Sequence, residues 1–379
     1  MTTAIYAFSG DPITFGHIDI IKRTAKVFDK VVVGIGINPS KNYLFTLEER
    51  FSLAKKALAR LDNVKVVSFS GLLVDFAYEN DIDVIVKGIR NSADFDYENI
   101  LHQVGDSQKL GIDTFILFAR PELAHVSSSA VKSIQKEQGF VHDYVTLEVK
   151  QEIERKISNQ YILGVTGEIG SGKSFICEQI LKLCKEKGVE AHNIELDHIS
   201  HKILSELKDE KYEKIRNQLI KTFGMKIKKQ DGTIDRKILG EIVFNNNEKL
   251  KQLNEIMYTP ILVRLRKEIY GKKGLIIINA ALIAESNLTF LSNNNTLIIK
   301  VDKETQKQRL LSRELTIEQI NRRLNSQLNY TQKKKSLEEA IKKYNHGKLW
   351  IYDNSVDYNE NKDNLNKIVD DIIKELKIK

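Results

Sequence analysis

The segment Gly167-Glu168-Ile169-Gly170-Ser171-Gly172-Lys173-Ser174 fits the pattern G-x-x-x-x-G-K-[ST], with strand-like residues before it and a helical pattern after it. Glycines let such a loop wrap its N–H groups round a polyphosphate, and the following helix adds the positive end of its dipole. Gly170, Ser171, Gly172, Lys173, Ser174 and Phe175 are therefore expected to contact ATP, with Lys173 on the β- and γ-phosphates and the Ser174 hydroxyl as a ligand of Mg2+. No Asn-Lys-x-Asp guanine reader occurs, which argues against a GTPase. Asp197 follows the next expected strand, where an acceptor hydroxyl would lie, and a carboxylate there can take the hydroxyl proton as the phosphoryl group moves. The plain reading of Asp197 is an N-cap for a helix from His198.

A second set of residues lies in the first half. Ser9 and Gly10 sit in a tight turn, and the Thr-x-Gly-His segment ending at His17 enters a helix, so that His17 would face phosphates at the helix start. A lone histidine there is more often a cap or a surface residue. Lys41, the run Lys87-Gly88-Ile89-Arg90, and Val126-Ser127-Ser128-Ser129 each follow a further expected strand, and this convergence on one sheet edge favours a site.

To bring these residues together, the chain needs parallel sheets. Strand-like runs at 4–8, 30–37, 64–69, 83–87 and 114–118 alternate with amphipathic helical stretches, as do runs at 163–166, 192–196, 275–279 and 296–301. The polar stretch 145–160 is expected to be a terminal helix of the first domain that doubles as connector. The fold class is thus α/β in two domains: 1–157, a Rossmann-like nucleotide-handling fold, and 158–379, a P-loop NTPase kinase fold. A chain of 379 residues with 41% apolar content can fill two cores. Residues 293–295, three asparagines, read as a loop.

Composition narrows the function classes. The net charge of +8 is uneven: residues 1–157 carry 19 Lys and Arg against 21 Asp and Glu, residues 158–379 carry 40 against 30. The excess lysines interleave with glutamates on helical patterns, the mark of a solvated face, so nucleic acid is not expected as a partner. The longest apolar run, 275–284, is too short for a bilayer span, and a soluble cytoplasmic protein is expected, with no membrane partner. Cys177 and Cys184 lie two turns apart on one helix, too far for a disulfide, and are expected as buried thiols.

Residues 161–379 resemble dephospho-coenzyme A kinase. The resemblance rests on the glycine loop, Asp197, Phe223-Gly224, Asp231-Gly232-x-Ile234-Asp235-Arg236, Ile242-Val243-Phe244, Pro260, Glu285 and Asp353-Asn354-Ser355. It implies a helical lid between Arg309 and Gln327, with Arg313 and Arg323 as phosphate clamps. Glu195 stands where that family usually has Asp, and Asn279-Ala280-Ala281-Leu282 replaces a more acidic stretch. Residues 3–145 resemble phosphopantetheine adenylyltransferase through the opening run, the 45–50, 69–76 and 93–98 segments, and the serine run. That resemblance implies that Ser9, Gly10, His17, Gly88, Ile89, Arg90, Glu98, Leu123, Ala124, His125, Val126, Ser127, Ser128 and Ser129 contact ATP. It implies further that Ser9, Lys41, Leu73 and Lys87 contact phosphopantetheine. Phe8 replaces a glycine of that family, Lys87 an arginine, and Val104-Gly105-Asp106 a Met-Asn-Arg contact.

Together the resemblances imply conversion of 4′-phosphopantetheine to coenzyme A through dephospho-coenzyme A, with ATP and Mg2+, and His17, Lys173 and Asp197 as the catalytic groups. The alternative is a dephospho-coenzyme A kinase whose first domain is inactive or regulatory. A homo-oligomer is left open by the sequence.

Overall fold

A computed structural model describes residues 1–244, 246–313 and 316–379; Glu314 and Leu315, inside the expected lid, lie outside the described residues. The chain separates into two compact units, Met1–Ile157 and Ser158–Lys379. In the first unit the strands are β1 (Thr3–Phe8), β2 (Lys30–Gly36), β3 (Val64–Phe69), β4 (Val84–Ile89) and β5 (Asp113–Phe118). They pair in parallel in the order β3-β2-β1-β4-β5. The strand order reverses between β1 and its neighbours β2 and β4, which is where a parallel sheet opens a crevice beyond its carboxyl ends.

Helices α1 (Phe15–Thr24), α2 (Leu47–Ala57), α3 (Leu73–Glu79), α4 (Ser92–Asp106), α5 (Ser128–Lys136) and α6 (Leu147–Ile153) complete this unit. Local chemistry fixes several of their starts. Thr46 and Glu49 form a reciprocal capping box on α2, and the Ser127 hydroxyl accepts from Ala130 N–H at the head of α5. On one face the core packs Tyr6, Val31, Val33 and Val86 of the sheet against helical side chains such as Ile21 and Leu53, and Ile5 belongs to a second cluster with Ala77. The expected connector helix is shorter than foreseen: α6 gives way to a wider helical turn at Glu154–Ser158, and β6 begins at Gln160 after Asn159 at φ 51°.

In the second unit, β6 (Gln160–Gly167), β7 (Ala191–Glu195), β8 (Gly274–Asn279), β9 (Thr296–Lys300) and β10 (Leu349–Asp353) form an all-parallel sheet ordered β10-β9-β6-β8-β7. Every residue of β6 and β8 is buried, which is why both read as continuous apolar runs without alternation. The helices are α7 (Lys173–Glu186), α8 (Leu196–Ser205), α9 (Glu210–Phe223), α10 (Arg236–Val243), α11 (Asn247–Ile269), α12 (Lys303–Leu311), α13 (Ile317–Asn325), α14 (Tyr330–Tyr344) and α15 (Tyr358–Glu375).

Cys177 and Cys184 are free and buried on α7, and burial pushes their thiols up to about 12 and about 11, which makes them inert packing groups. Residues 293–295 do connect a short helical turn to β9, but they are buried, with Asn294 donating to the carbonyls of Ala340 and His346. No helix among the described residues is long and apolar enough to cross a membrane.

Candidate active sites

At the carboxyl edge of the first sheet lies a cleft of about 660 Å³. Ser9, Gly10, His17, Lys41, Leu73, Lys87, Gly88, Arg90, Glu98, Leu123, Val126, Ser127, Ser128 and Ser129 all line it. Of the remaining expected contacts, Ile89 is buried in the core, and Ala124 and His125 stay outside the lining, the His125 ring edge-on to Tyr144 at 5.7 Å.

His17 is the best defined group of this cleft. Its Nδ1 accepts the backbone N–H of Thr14 at 3.1 Å and lies 2.9 Å from the Thr14 hydroxyl, which can donate to it as well. With Nδ1 as acceptor, the neutral ring carries its proton on Nε2. Burial, then Arg90 and Lys41, pull its pKa from 6.5 down to about 3, so the ring is a neutral hydrogen-bond donor at ordinary pH. The Phe8 ring stacks on it at 4.4 Å, with 18° between planes.

The cationic groups are held by neighbours. Lys41 Nζ reaches the Ser9 hydroxyl at 3.4 Å, Lys87 pairs with Glu98 at 2.6 Å, and Arg90 forms a fork with Asp94 at 2.7 and 2.9 Å. Glu98 is thus a partner of Lys87 as well as a wall of the cleft. The hydroxyls of Ser127 and Ser128 are engaged internally, Ser128 donating to the Pro12 carbonyl at 2.8 Å, which leaves the backbone of the α5 start to face an anion.

Sequence reasoning missed several groups. Asp11, buried, accepts N–H from Leu44 and Phe45 and pairs with Lys132 at 2.5 Å. Arg50, also buried, donates to the carbonyls of Ser9 and Gly36 and stacks on Tyr43 at 4.0 Å. Together they brace the turn that carries Ser9 and Gly10. Asp11 lies in the opening run and Arg50 in the 45–50 segment, but nothing local marked Lys132 as the partner of Asp11.

In the second unit the glycine loop joins β6 to α7. Gly172 has φ 85°, and a Cβ there would lie 2.4 Å from the Asn354 amide nitrogen, so glycine is required twice over. Asn354 donates to the Ser171 carbonyl at 2.8 Å, Arg309 donates to the Asn354 carbonyl at 3.0 Å, and Gln327 accepts Ile169 N–H at 3.3 Å. Ser171 is buried, and its hydroxyl has no partner among the described residues, so its backbone rather than its side chain serves the loop.

Lys173 folds back on the carbonyls of Gly167 and Glu168 at 3.1 and 3.0 Å. Burial lowers its pKa to about 8, while Asp197 raises it. Asp197 is not the helix cap: α8 begins at Leu196, Glu195 occupies the N-cap, and Asp197 sits in the first turn. Its surface is open to solvent, yet the protein atoms crowding its carboxyl, together with Glu195, push its pKa up while Lys173 and Arg236 lower it. An exposed Ser174 hydroxyl at the head of α7 and this carboxylate are hard oxygen ligands of the kind Mg2+ takes. Among the described residues no group of three His, Cys, Asp or Glu could hold a metal ion.

A cavity of about 550 Å³ adjoins the loop, lined by Gly170, Gly172, Phe175, Arg309, Arg313 and Asn354 among others, with Tyr358 edge-on to Phe175 at 5.4 Å. Arg313 reaches this cavity, whereas Arg323, on α13, is not among its lining. Among the described lid residues, Arg309 and Gln327 hydrogen-bond to the loop.

Two parallel α/β folds, one with a histidine cleft at its switch point and one with a glycine-loop cradle, define a two-unit nucleotide-using transferase. Residues 9–134 match the cytidylyltransferase-like family and residues 161–348 the dephospho-CoA kinase family. A phosphopantetheine adenylyltransferase of Clostridium tetani is 42% identical over 160 residues, 42% of this chain and 100% of that one. One of Clostridium kluyveri is 43% identical over 161 residues, 42% of this chain and 98% of that one. Among solved structures, a dephospho-CoA kinase from Campylobacter jejuni is 26% identical, covering 57% of this chain and 98% of that chain, with a TM-score of 0.34. The chain belongs to the phosphopantetheine adenylyltransferase family in its first unit, joined in one polypeptide to a second unit with a dephospho-CoA kinase domain.

Proposed function

We propose that this chain performs the last two steps of coenzyme A synthesis. In the first unit the 4′-phosphate of phosphopantetheine attacks the α-phosphorus of ATP, and the bond to pyrophosphate breaks, giving dephospho-coenzyme A. His17 donates its Nε2–H to the charge developing on the α-phosphate, while Lys41 and Lys87 hold the acceptor phosphate. Ser9 supports the same phosphate through Lys41, and the α5 start receives the rest of the triphosphate.

In the second unit the ribose 3′-hydroxyl of dephospho-coenzyme A attacks the γ-phosphorus of a second ATP. Asp197 takes the hydroxyl proton, and ADP leaves. Lys173 swings from the loop carbonyls to the β- and γ-phosphates, and Arg313 closes from the lid. Mg2+ bound by Ser174 and the phosphate oxygens would neutralise phosphate charge. A cytoplasmic setting, among water-soluble substrates, is part of this reading.

The observation that carries the proposal is that each unit has its own phosphate cradle, and the first cleft stays open with Phe8 laid on His17. That openness favours a working transferase over a regulatory module. The test is product analysis of the purified chain with ATP, Mg2+ and phosphopantetheine, which should yield pyrophosphate, ADP and coenzyme A. His17→Ala should stop only the first step, and Lys173→Ala or Asp197→Asn only the second. Loss of both steps from either substitution in a folded chain refutes the two-site reading.

A further inference from the structure

We propose that Phe8 is a positioning residue for adenylyl transfer, holding the His17 imidazole in the plane that aims Nε2–H into the cleft. Phe8 closes β1 and His17 lies in the first turn of α1, so the turn between them must return the chain to bring the two rings together. The rings meet nearly parallel, with centroids 4.4 Å apart and planes 18° apart. Behind Phe8, Tyr6 packs at 5.3 Å with its ring tilted by 32°, which backs the platform from the strand.

The turn is shaped to admit this ring. Gly10 adopts φ 64°, and a Cβ at that position would come within 3.2 Å of the Phe8 ring edge. A larger residue there would press on the platform from the cleft side. Thr14 meets His17 from another direction, through its N–H and hydroxyl on Nδ1.

The two contacts constrain different freedoms. Thr14 selects the tautomer, because an Nδ1 that accepts leaves the proton on Nε2. Hydrogen bonds to one ring atom still let the imidazole tilt and rock about that atom. A stacked aromatic face resists such tilting, since offset stacking has a preferred separation and plane. Phe8 also keeps water from one face of the imidazole, which favours its neutral, donating form.

The inference rests on the assignment of His17 as the donor to the transferred phosphate. The test uses the full chain with Phe8→Leu, Phe8→Trp and His17→Ala, measuring pyrophosphate release, and the kinase step on added dephospho-coenzyme A as a control. Ring nitrogen NMR of His17, assigned by its loss in His17→Ala, reports tautomer and titration.

Phe8→Leu, which keeps apolar bulk but offers no ring face, should lower kcat of adenylyl transfer by about ten- to a hundredfold, the range of a misplaced catalytic group. Its KM for ATP should stay within about twofold, since uniform binding is untouched. Its His17 nitrogen signals should titrate at a higher pH than in the parent, because water then reaches the exposed ring face, and Phe8→Trp should restore both rate and signals.

Unchanged kcat and nitrogen signals in Phe8→Leu overturn the inference, as does a defect confined to KM, which would make Phe8 a substrate contact. Failure of Phe8→Trp to restore the rate while its signals match the parent overturns it too. If His17→Ala retains full adenylyl transfer, the donor assignment itself fails and Phe8 falls with it. If His17→Ala is inactive and Phe8→Leu is not impaired, the positioning role alone is refuted.

Discussion

Lys333 offers the sharpest energetic test of how the kinase unit is held together. It lies in the first turn of α14 with its side chain wholly buried, and its ammonium donates to the Ala281 carbonyl at 2.7 Å and to the Glu285 carboxylate. Glu285 also accepts Leu328 N–H at 3.1 Å, so a single ion pair ties the end of the lid to the loop after β8. Burial lowers the Lys333 pKa, and Glu285 opposes that shift, so the charge persists through its partner. Lys333→Met keeps the length and volume of the side chain but leaves the carboxylate and the carbonyl without their donor. Breaking a buried pair from one side costs about 3–5 kcal/mol, and the low end applies because Glu285 keeps 17% exposure and can recruit water.

The chain contains one tryptophan, Trp350, buried on β10 with its indole N–H donating to Asp371 at 2.6 Å, so its fluorescence follows the second unit alone. A slope of about 2–3 kcal/mol per molar urea converts about 3 kcal/mol into a midpoint shift of about 1 M. The double variant Lys333→Met with Glu285→Leu should recover at least about 1.5 kcal/mol of the loss, because it removes the stranded charge. A shift below about 0.3 M, or a double variant that is strictly additive, would refute the reasoning.

The remaining expectations concern protonation and the first cleft. With Lys173 at about 8 in the free loop, only its charged form grips phosphate, so the ATP KM of the kinase step should rise about fivefold from pH 8 to pH 9; a flat KM over that range contradicts this. Because His17 sits at about 3 against 6.5 when unfolded, the unfolded chain binds a proton between those values that the folded chain does not, and stability from this group falls as pH drops through that window. His17 ring nitrogen shifts should therefore stay constant from pH 8 to pH 5, and an inflection near 6.5 would show that the ring is not shielded as described. Asp11→Asn replaces the acceptor of two N–H groups and of Lys132, and should cost about 1–3 kcal/mol at the turn and slow adenylyl transfer at least about tenfold, with the kinase step unchanged; equal rates in both steps would count against it.

Strand periodicity located nine of the ten strands among the described residues, eight of them within a residue or two and β6, Gln160–Gly167 against an expected 163–166, within three, because buried parallel strands are continuous apolar runs bounded by turns. β10 was not among the runs read, although Leu349–Asp353 opens with four apolar and aromatic residues; its alternation of buried and more exposed positions fits its place at the sheet edge. The place of the glycine loop between a strand and a helix was legible because its pattern is local, and so was the gathering of Ser9, Lys41 and Arg90 at one sheet edge, which follows from strand order. Arg323 was expected at the phosphates and lies outside the cavity lining, while Arg309, a turn before Arg313 on the same lid, touches Ser171 and Asn354. A run of arginines at helical spacing does not say which face meets the loop, since that depends on how α12 and α13 turn against it.

Long-range partners are where sequence reasoning stops, and Glu195 with Asn279 shows why. Each looked like a separate departure from the kinase pattern, 84 residues apart in the chain. Glu195 ends β7 and Asn279 ends β8, and the parallel register of these strands places them opposite one another. The Asn279 amide donates to the Glu195 carboxylate at 3.3 Å, as does that of Asn193. The longer carboxylate and the amide thus answer each other: an acid in place of Asn279 would set two carboxylates side by side next to Asp197, whose pKa Glu195 already raises. With the amide there, no further carboxylate is added beside Asp197 and Lys173, and the two departures become one compensated pair.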